Sequence, residues 1–158
     1  GTVVIYKGIV QYARSDAEIA MVIAHEMAHH IANHIRESKN SQAVGALVGG
    51  VAMALLLGDA AMYNSQVISD GMQIGAYAGA LTFSRKQEME ADYISAYIIS
   101  RAGFDLDAGR GILVSLGRMG GRTTSTVLDT HPAGPERVAA WDLASAEIRA
   151  GSPMPRKR

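Results

Sequence analysis

The chain has 158 residues, fifteen basic against fifteen acidic, and no cysteine. That length suits one compact domain with a real core, and a net charge of zero argues against a nucleic-acid binder. Without cysteine there is no disulfide framework, no thiolate zinc site and no cysteine nucleophile, while 48% hydrophobic and 19% charged residues exclude disorder.

The β-branched run Thr2–Tyr6 reads as a short strand ending near Gly8. Ser15 and Glu18 form a capping-box pattern that opens a long helix, expected to run to about Glu37. Ile19, Val22, Ile23, Met27 and Ile31 are its apolar positions. Between Lys39 and Arg85 the only charges are Asp59 and Asp70, and Ala43 to Leu57 is an uncharged run. Seventeen glycines, about 11% against an average near 7%, are partly concentrated here. Gly45 and Gly49 are four apart, as are Gly71, Gly75 and Gly79, so each set lies on one helix face where two backbones can approach closely. The reading is a tight helical hairpin inserted at 40–84, turning near residues 58–65.

Ser84 and Gln87 form a second capping box, opening a helix to about Arg101 that stops at Gly103. A shorter helix is expected over 107–116, then a loop over 117–130 rich in Gly, Ser and Thr. Gly134-Pro135 opens a last helix to about Arg149. Residues 151–158 read as a disordered basic tail. The expected organisation is a single domain over 1–150, α+β but mainly α-helical, with a small N-terminal strand region.

His25-Glu26-Met27-Ala28-His29 is an H-E-x-x-H pattern within the first long helix. Its two histidines fall on nearly the same face, one turn apart, so they can share one zinc ion. Glu26 sits beside them, placed to act as general base toward a water. A catalytic zinc takes three protein ligands, and without cysteine the third must be His, Asp or Glu. Position 35 is Ile and position 32 Ala, so a third histidine at the metzincin spacing is absent. His30 and His34 face elsewhere and read as structural. The downstream candidate is Glu88, one turn before Asp92 on the helix capped by Ser84. Small residues Ala91 and Ser95 continue that face, opposite Ala28 and Ala32. Asp92 then sits behind the metal, orienting a ligand histidine through its other ring nitrogen.

Taken together, His25 to His29, Ser84-Arg-x-x-Glu-x-Glu-Ala-Asp92, Ala102-Gly-Phe-Asp105 and Thr130-His131-Pro132 with Arg137 resemble one zinc metallopeptidase family. It is the family of the membrane heat-shock protease HtpX, the type I CAAX prenyl protease and the OMA-type proteases. The resemblance covers nearly the whole chain in the right order. It implies a zincin-like fold and one Zn2+ per chain held by His25, His29 and Glu88, with Glu26 as base. It also implies that His131 and Arg137 lie near the site. His131 then stabilises an oxyanion, or blocks the zinc in a resting state, or is simply a turn histidine before proline. Arg137 is expected to pair with a carboxylate such as Asp92.

The resemblance further implies a zinc endopeptidase acting on polypeptides in envelope protein quality control, in the bacterial periplasm. Family members carry a strand and a glycine-ending stretch before the position of Thr2, so the chain reads as a fragment lacking its front edge and any export signal. A chaperone or assembly factor that keeps the zinc fold is the alternative function, and a helical module with accidental motif matches is a third. The 43–81 region reads as a buried or partner-facing hairpin, with contact to a membrane or membrane protein as the other reading. An edge strand at residues 2–6 is a candidate for holding an extended substrate by strand addition.

Overall fold

The computed structural model describes residues 2–5, 7–57, 65–80, 83–119, 131 and 134–154. Among these residues lie seven helices: α1 (Lys7–Tyr12), α2 (Asp16–Ile31), α3 (His34–Leu57), α4 (Ser65–Ala80), α5 (Arg85–Arg101), α6 (Leu106–Met119) and α7 (Pro135–Arg149). The chain divides into two compact units. One comprises residues 1–32 and 83–158, the other residues 33–82.

Among the described residues the expected N-terminal strand does not form. Residues 2–5 carry no regular secondary structure, and Val4 is exposed. A β-branched run becomes a strand only by pairing, and no other described segment offers a ladder. The proposed edge for strand addition is missing with it. The mainly helical part of the expectation stands.

In the first unit, α2 and α5 pack directly, α7 packs on α5, and α6 contacts all three. Ser15 caps α2 by accepting from the Glu18 amide. The box is only half formed, because the Glu18 carboxylate turns to Arg14, accepting from its backbone N at 2.7 Å and its guanidinium Nη2 at 2.7 Å. The Ser84–Gln87 box on α5 closes in both directions. Helix α5 ends at Arg101, and Gly103 follows at φ +82°, a left-handed conformation that favours glycine. Pro135 occupies the first turn of α7 after Gly134. Helix α6 runs to Met119, three residues beyond the expected end; the remainder of the expected loop, 120–130, lies outside the described residues.

The apolar face of α2 differs from expectation. Ile23, Met27 and Ile31 are exposed. The buried face instead carries Met21, Ala24, His25, Ala28 and His29. Ala28 on α2 and Ala91 and Ser95 on α5 are fully buried, so small side chains line the packed faces and let the two helices approach. Around them Met21, Tyr97, Ile99, Ile112, Leu113 and Trp141 form the core. Trp141 Nε1 donates to the Leu106 carbonyl at 3.2 Å, which keeps its one polar atom satisfied. Met154 packs against this core; residues 155–158 of the expected tail lie outside the described residues.

The long helix expected to reach Glu37 ends at Ile31. Asn33 takes φ 63°, the left-handed region that asparagine tolerates better than most residues, and α3 starts afresh at His34.

In the second unit, α3 and α4 pack as a pair. A Cβ added at Gly49 would collide with the Gly71 carbonyl, and one at Gly75 with the Gly45 carbonyl. Backbone meets backbone there, which only glycine permits. The turn expected near 58–65 lies almost wholly outside the described residues.

Candidate metal centre

Two helices and one further residue build the site. His25 and His29 sit one turn apart on α2, facing α5, with Nε2 atoms 3.0 Å apart. Glu88, in the first turn of α5, is fully buried and reaches both. Its Oε2 lies 3.4 Å from His25 Nε2, and its Oε1 3.3 Å from His29 Nε2. His131 brings Nδ1 to 3.0 Å from Glu88 Oε1 and Nε2 to 3.5 Å from Glu26 Oε1. One ligand atom from each of His25, His29, Glu88 and His131 lies within 4.8 Å of every other. Glu26 is adjacent but more open, its side chain 30% exposed. His30 is exposed, and neither it nor His34 belongs to the group.

Behind this group lies a buried ionic network. Asp92, one turn after Glu88, is fully buried, and its Oδ1 lies 2.9 Å from His25 Nδ1. Arg137 in the first turn of α7 grips Asp92 through two parallel bonds, Nε to Oδ2 at 2.7 Å and Nη2 to Oδ1 at 2.9 Å. Its Nη1 is 2.8 Å from Glu88 Oε2. A guanidinium is suited to this planar, two-point recognition of a carboxylate.

The charges follow from this packing. Burial pulls His25 down, but the carboxylates of Asp92 and Glu88 outweigh it and push it up to about 9. For His29 burial wins over the pull of Glu88 and, with the charge on His25, takes it down to about 4. Burial pushes Glu88 up, yet hydrogen bonds from His131, His25 and His29 outweigh it and hold its carboxyl far below the usual range. An ionised Glu88 and a neutral His29 are the forms that bind a metal; His25 would release a proton on binding.

The residues fit a zinc ion. Two imidazole nitrogens and one carboxylate oxygen are a donor set of catalytic zinc. Glu88 Oε2 is buried and, beyond its ion pair with Arg137 Nη1 at 2.8 Å, meets no hydrogen bond. Such an oxygen keeps capacity for a further partner.

Two features escaped sequence reasoning. The Phe83 ring stacks on His29, with centroids 3.8 Å apart and planes 27° from parallel. Nothing about a lone phenylalanine before a helix cap signals that. An apolar cleft beside Glu26, walled by Ile9, Met21, Val22, Leu113 and Leu116, draws on helices far apart in the chain. Its one sequence signal is the apolar spacing of Leu113 and Leu116 on α6.

Histidines one turn apart on a helix, meeting a carboxylate from the next helix with a glutamate alongside, are the arrangement of H-E-x-x-H zinc peptidases. The chain belongs to peptidase family M48, whose model matches residues 1–144. It is similar to the mitochondrial metalloendopeptidase OMA1 of Arabidopsis thaliana, 32% identical over 148 residues, which is 94% of this chain and 28% of that protein. It is similar also to the β-barrel assembly-enhancing protease of Escherichia coli (strain K12), 29% identical over 144 residues, 88% of this chain and 29% of that protein. The OMA1 metalloendopeptidase of Schizosaccharomyces pombe is 30% identical over 153 residues, 94% of this chain and 43% of that protein. The chain thus spans less than half the length of each of these relatives. No solved structure matches it.

Proposed function

We propose that this chain carries the catalytic centre of a zinc-dependent endopeptidase. The carrying observation is the convergence of His25, His29 and Glu88, from two helices, on one buried point beside Glu26. His25, His29 and Glu88 would hold the ion. Bound zinc would polarise the scissile carbonyl and make a water acidic enough to attack at neutral pH.

The remaining work falls to the chain itself. Glu26 accepts a proton from the attacking water and passes it to the leaving amine. Its greater exposure leaves it open to substrate. Asp92 orients His25 through Nδ1, so that Nε2 faces the shared point. Arg137 offsets the buried charge of Asp92 and Glu88 and fixes both carboxylates. His131 contacts Glu88 within the donor group, which supports a resting position over the site. It must turn away from Glu88 before it can donate to the oxyanion of the tetrahedral intermediate.

Substrates are polypeptides, in keeping with relatives named as endopeptidases and proteases. We place the work in envelope protein quality control in the bacterial periplasm, on the likeness to proteases named for β-barrel assembly. The α3–α4 pair is the candidate contact with a membrane or membrane protein. Val44, Leu47, Val48, Val51, Leu55 and Leu56 are exposed on α3, and no described helix is long and apolar enough to cross a bilayer.

Casein cleavage by the zinc-loaded chain tests the activity. Cleavage lost on chelation and restored by stoichiometric zinc is expected. Cleavage indifferent to chelation contradicts the proposal.

A further inference from the structure

We infer that the cleft beside Glu26 is a side-chain pocket selecting an aliphatic or methionyl residue next to the cleaved bond; this rests on the peptidase reading above. The cleft encloses about 40 Å³ and is partly open to solvent, so it suits part of one side chain rather than a whole small ligand. Its wall is Ile9 of α1, Met21 and Val22 of α2, and Leu113 and Leu116 of α6. The lining also includes the polar side chains of Glu26, His131, His25 and Arg137. A side chain seated against the wall therefore leaves its own backbone beside Glu26, where the proton transfers occur.

Among the described residues the wall offers no hydrogen-bonding side chain. A charged or amide side chain entering it would lose water with nothing in exchange. Arg137, which lines the cleft, is already engaged with Asp92 and Glu88. Leu113 and Met21 are core residues and hold the back of the cleft rigid. Ile9, Val22 and Leu116 are partly buried and set its width. Apolar pockets discriminate by about tenfold or more for each methylene gained or lost.

The test uses the zinc-loaded chain and a synthetic decapeptide mixture randomised at its central positions, with cut sites read by mass spectrometry. Leu, Ile, Val or Met should exceed Asp, Glu and Lys at one position flanking the cut by about tenfold or more. Leu116→Phe should narrow the cleft and move that preference to Ala, and Leu116→Ala should widen it toward Phe. Calorimetry on the zinc-loaded Glu26→Gln chain, with nonapeptides differing only in a central Leu or Asp, reads the pocket without catalysis. Tighter binding of the Leu peptide, weakened by Leu116→Asp, is expected. Cleavage without apolar preference, or a preference unmoved by both Leu116 variants, overturns the pocket. No cleavage together with selective Leu binding overturns the peptidase reading and leaves the pocket standing. Neither cleavage nor selective binding overturns both.

Discussion

Asp92 and Arg137 lie at one remove from the shared point. Asp92 is buried between His25 and the Arg137 guanidinium, so its removal frees the His25 ring and strands a buried cation. Asp92→Asn should weaken zinc binding by about 10- to 100-fold while leaving one zinc bound at saturation. Competition titration against a chromophoric chelator measures it, and unchanged affinity would show that Asp92 does not orient His25. The H-E-x-x-H spacing is legible in the sequence because the four-residue rise of a helix is local. Glu88 is legible only beside that motif, since a first-turn glutamate on a capped helix is otherwise an ordinary partner of the helix dipole. Phe83 is not legible, because its place against His29 depends on how the chain enters α5 and not on any local pattern.

Helix limits follow local rules wherever caps decide them. Ser84, Gly103 and Pro135 set the bounds of α5 and α7. Where tertiary context decides, the pattern misleads. Residues 2–5 have no strand to pair with among the described residues, and Asn33 breaks a helix whose apolar spacing continues past it. On α2, hydrophobicity pointed to Ile23, Met27 and Ile31, but the face that packs on α5 is the small and histidine-bearing one. Burying the histidine face leaves Ile23, Met27 and Ile31 exposed.

The α3–α4 pair rests on glycine contacts. Gly75→Val would push side-chain atoms into the Gly45 backbone. A loss of about 1–3 kcal/mol or more is expected from such overpacking, read as faster limited proteolysis within 33–82. Proteolysis at the wild-type rate would show that the close approach is not required.

At the scale of the molecule, the site joins distant parts of the chain. His25 and His29 come from before residue 33, and Glu88, His131 and Arg137 from after residue 82. A metal bridging them would be a cross-link across some fifty intervening residues, so metal binding and folding of this unit would be coupled. Zinc at about a thousandfold excess over its dissociation constant should add about 4 kcal/mol to the stability of this unit, seen as a higher Tm that chelation removes. Trp141→Ala, which empties the core behind the site, should cost about 3–5 kcal/mol. It should lower the Tm of the zinc-loaded and the chelated protein alike. If zinc fails to raise Tm, the bridging role of these residues is wrong.

The central claim is that Glu26 moves the proton while His25, His29 and Glu88 hold the ion. Zinc content and peptide cleavage measured together on the wild type and Glu26→Gln test it most directly. The account predicts one zinc per chain in both proteins, with cleavage in the wild type and a loss of about 100-fold or more in the variant. Cleavage by Glu26→Gln at the wild-type rate, with zinc bound, would contradict it.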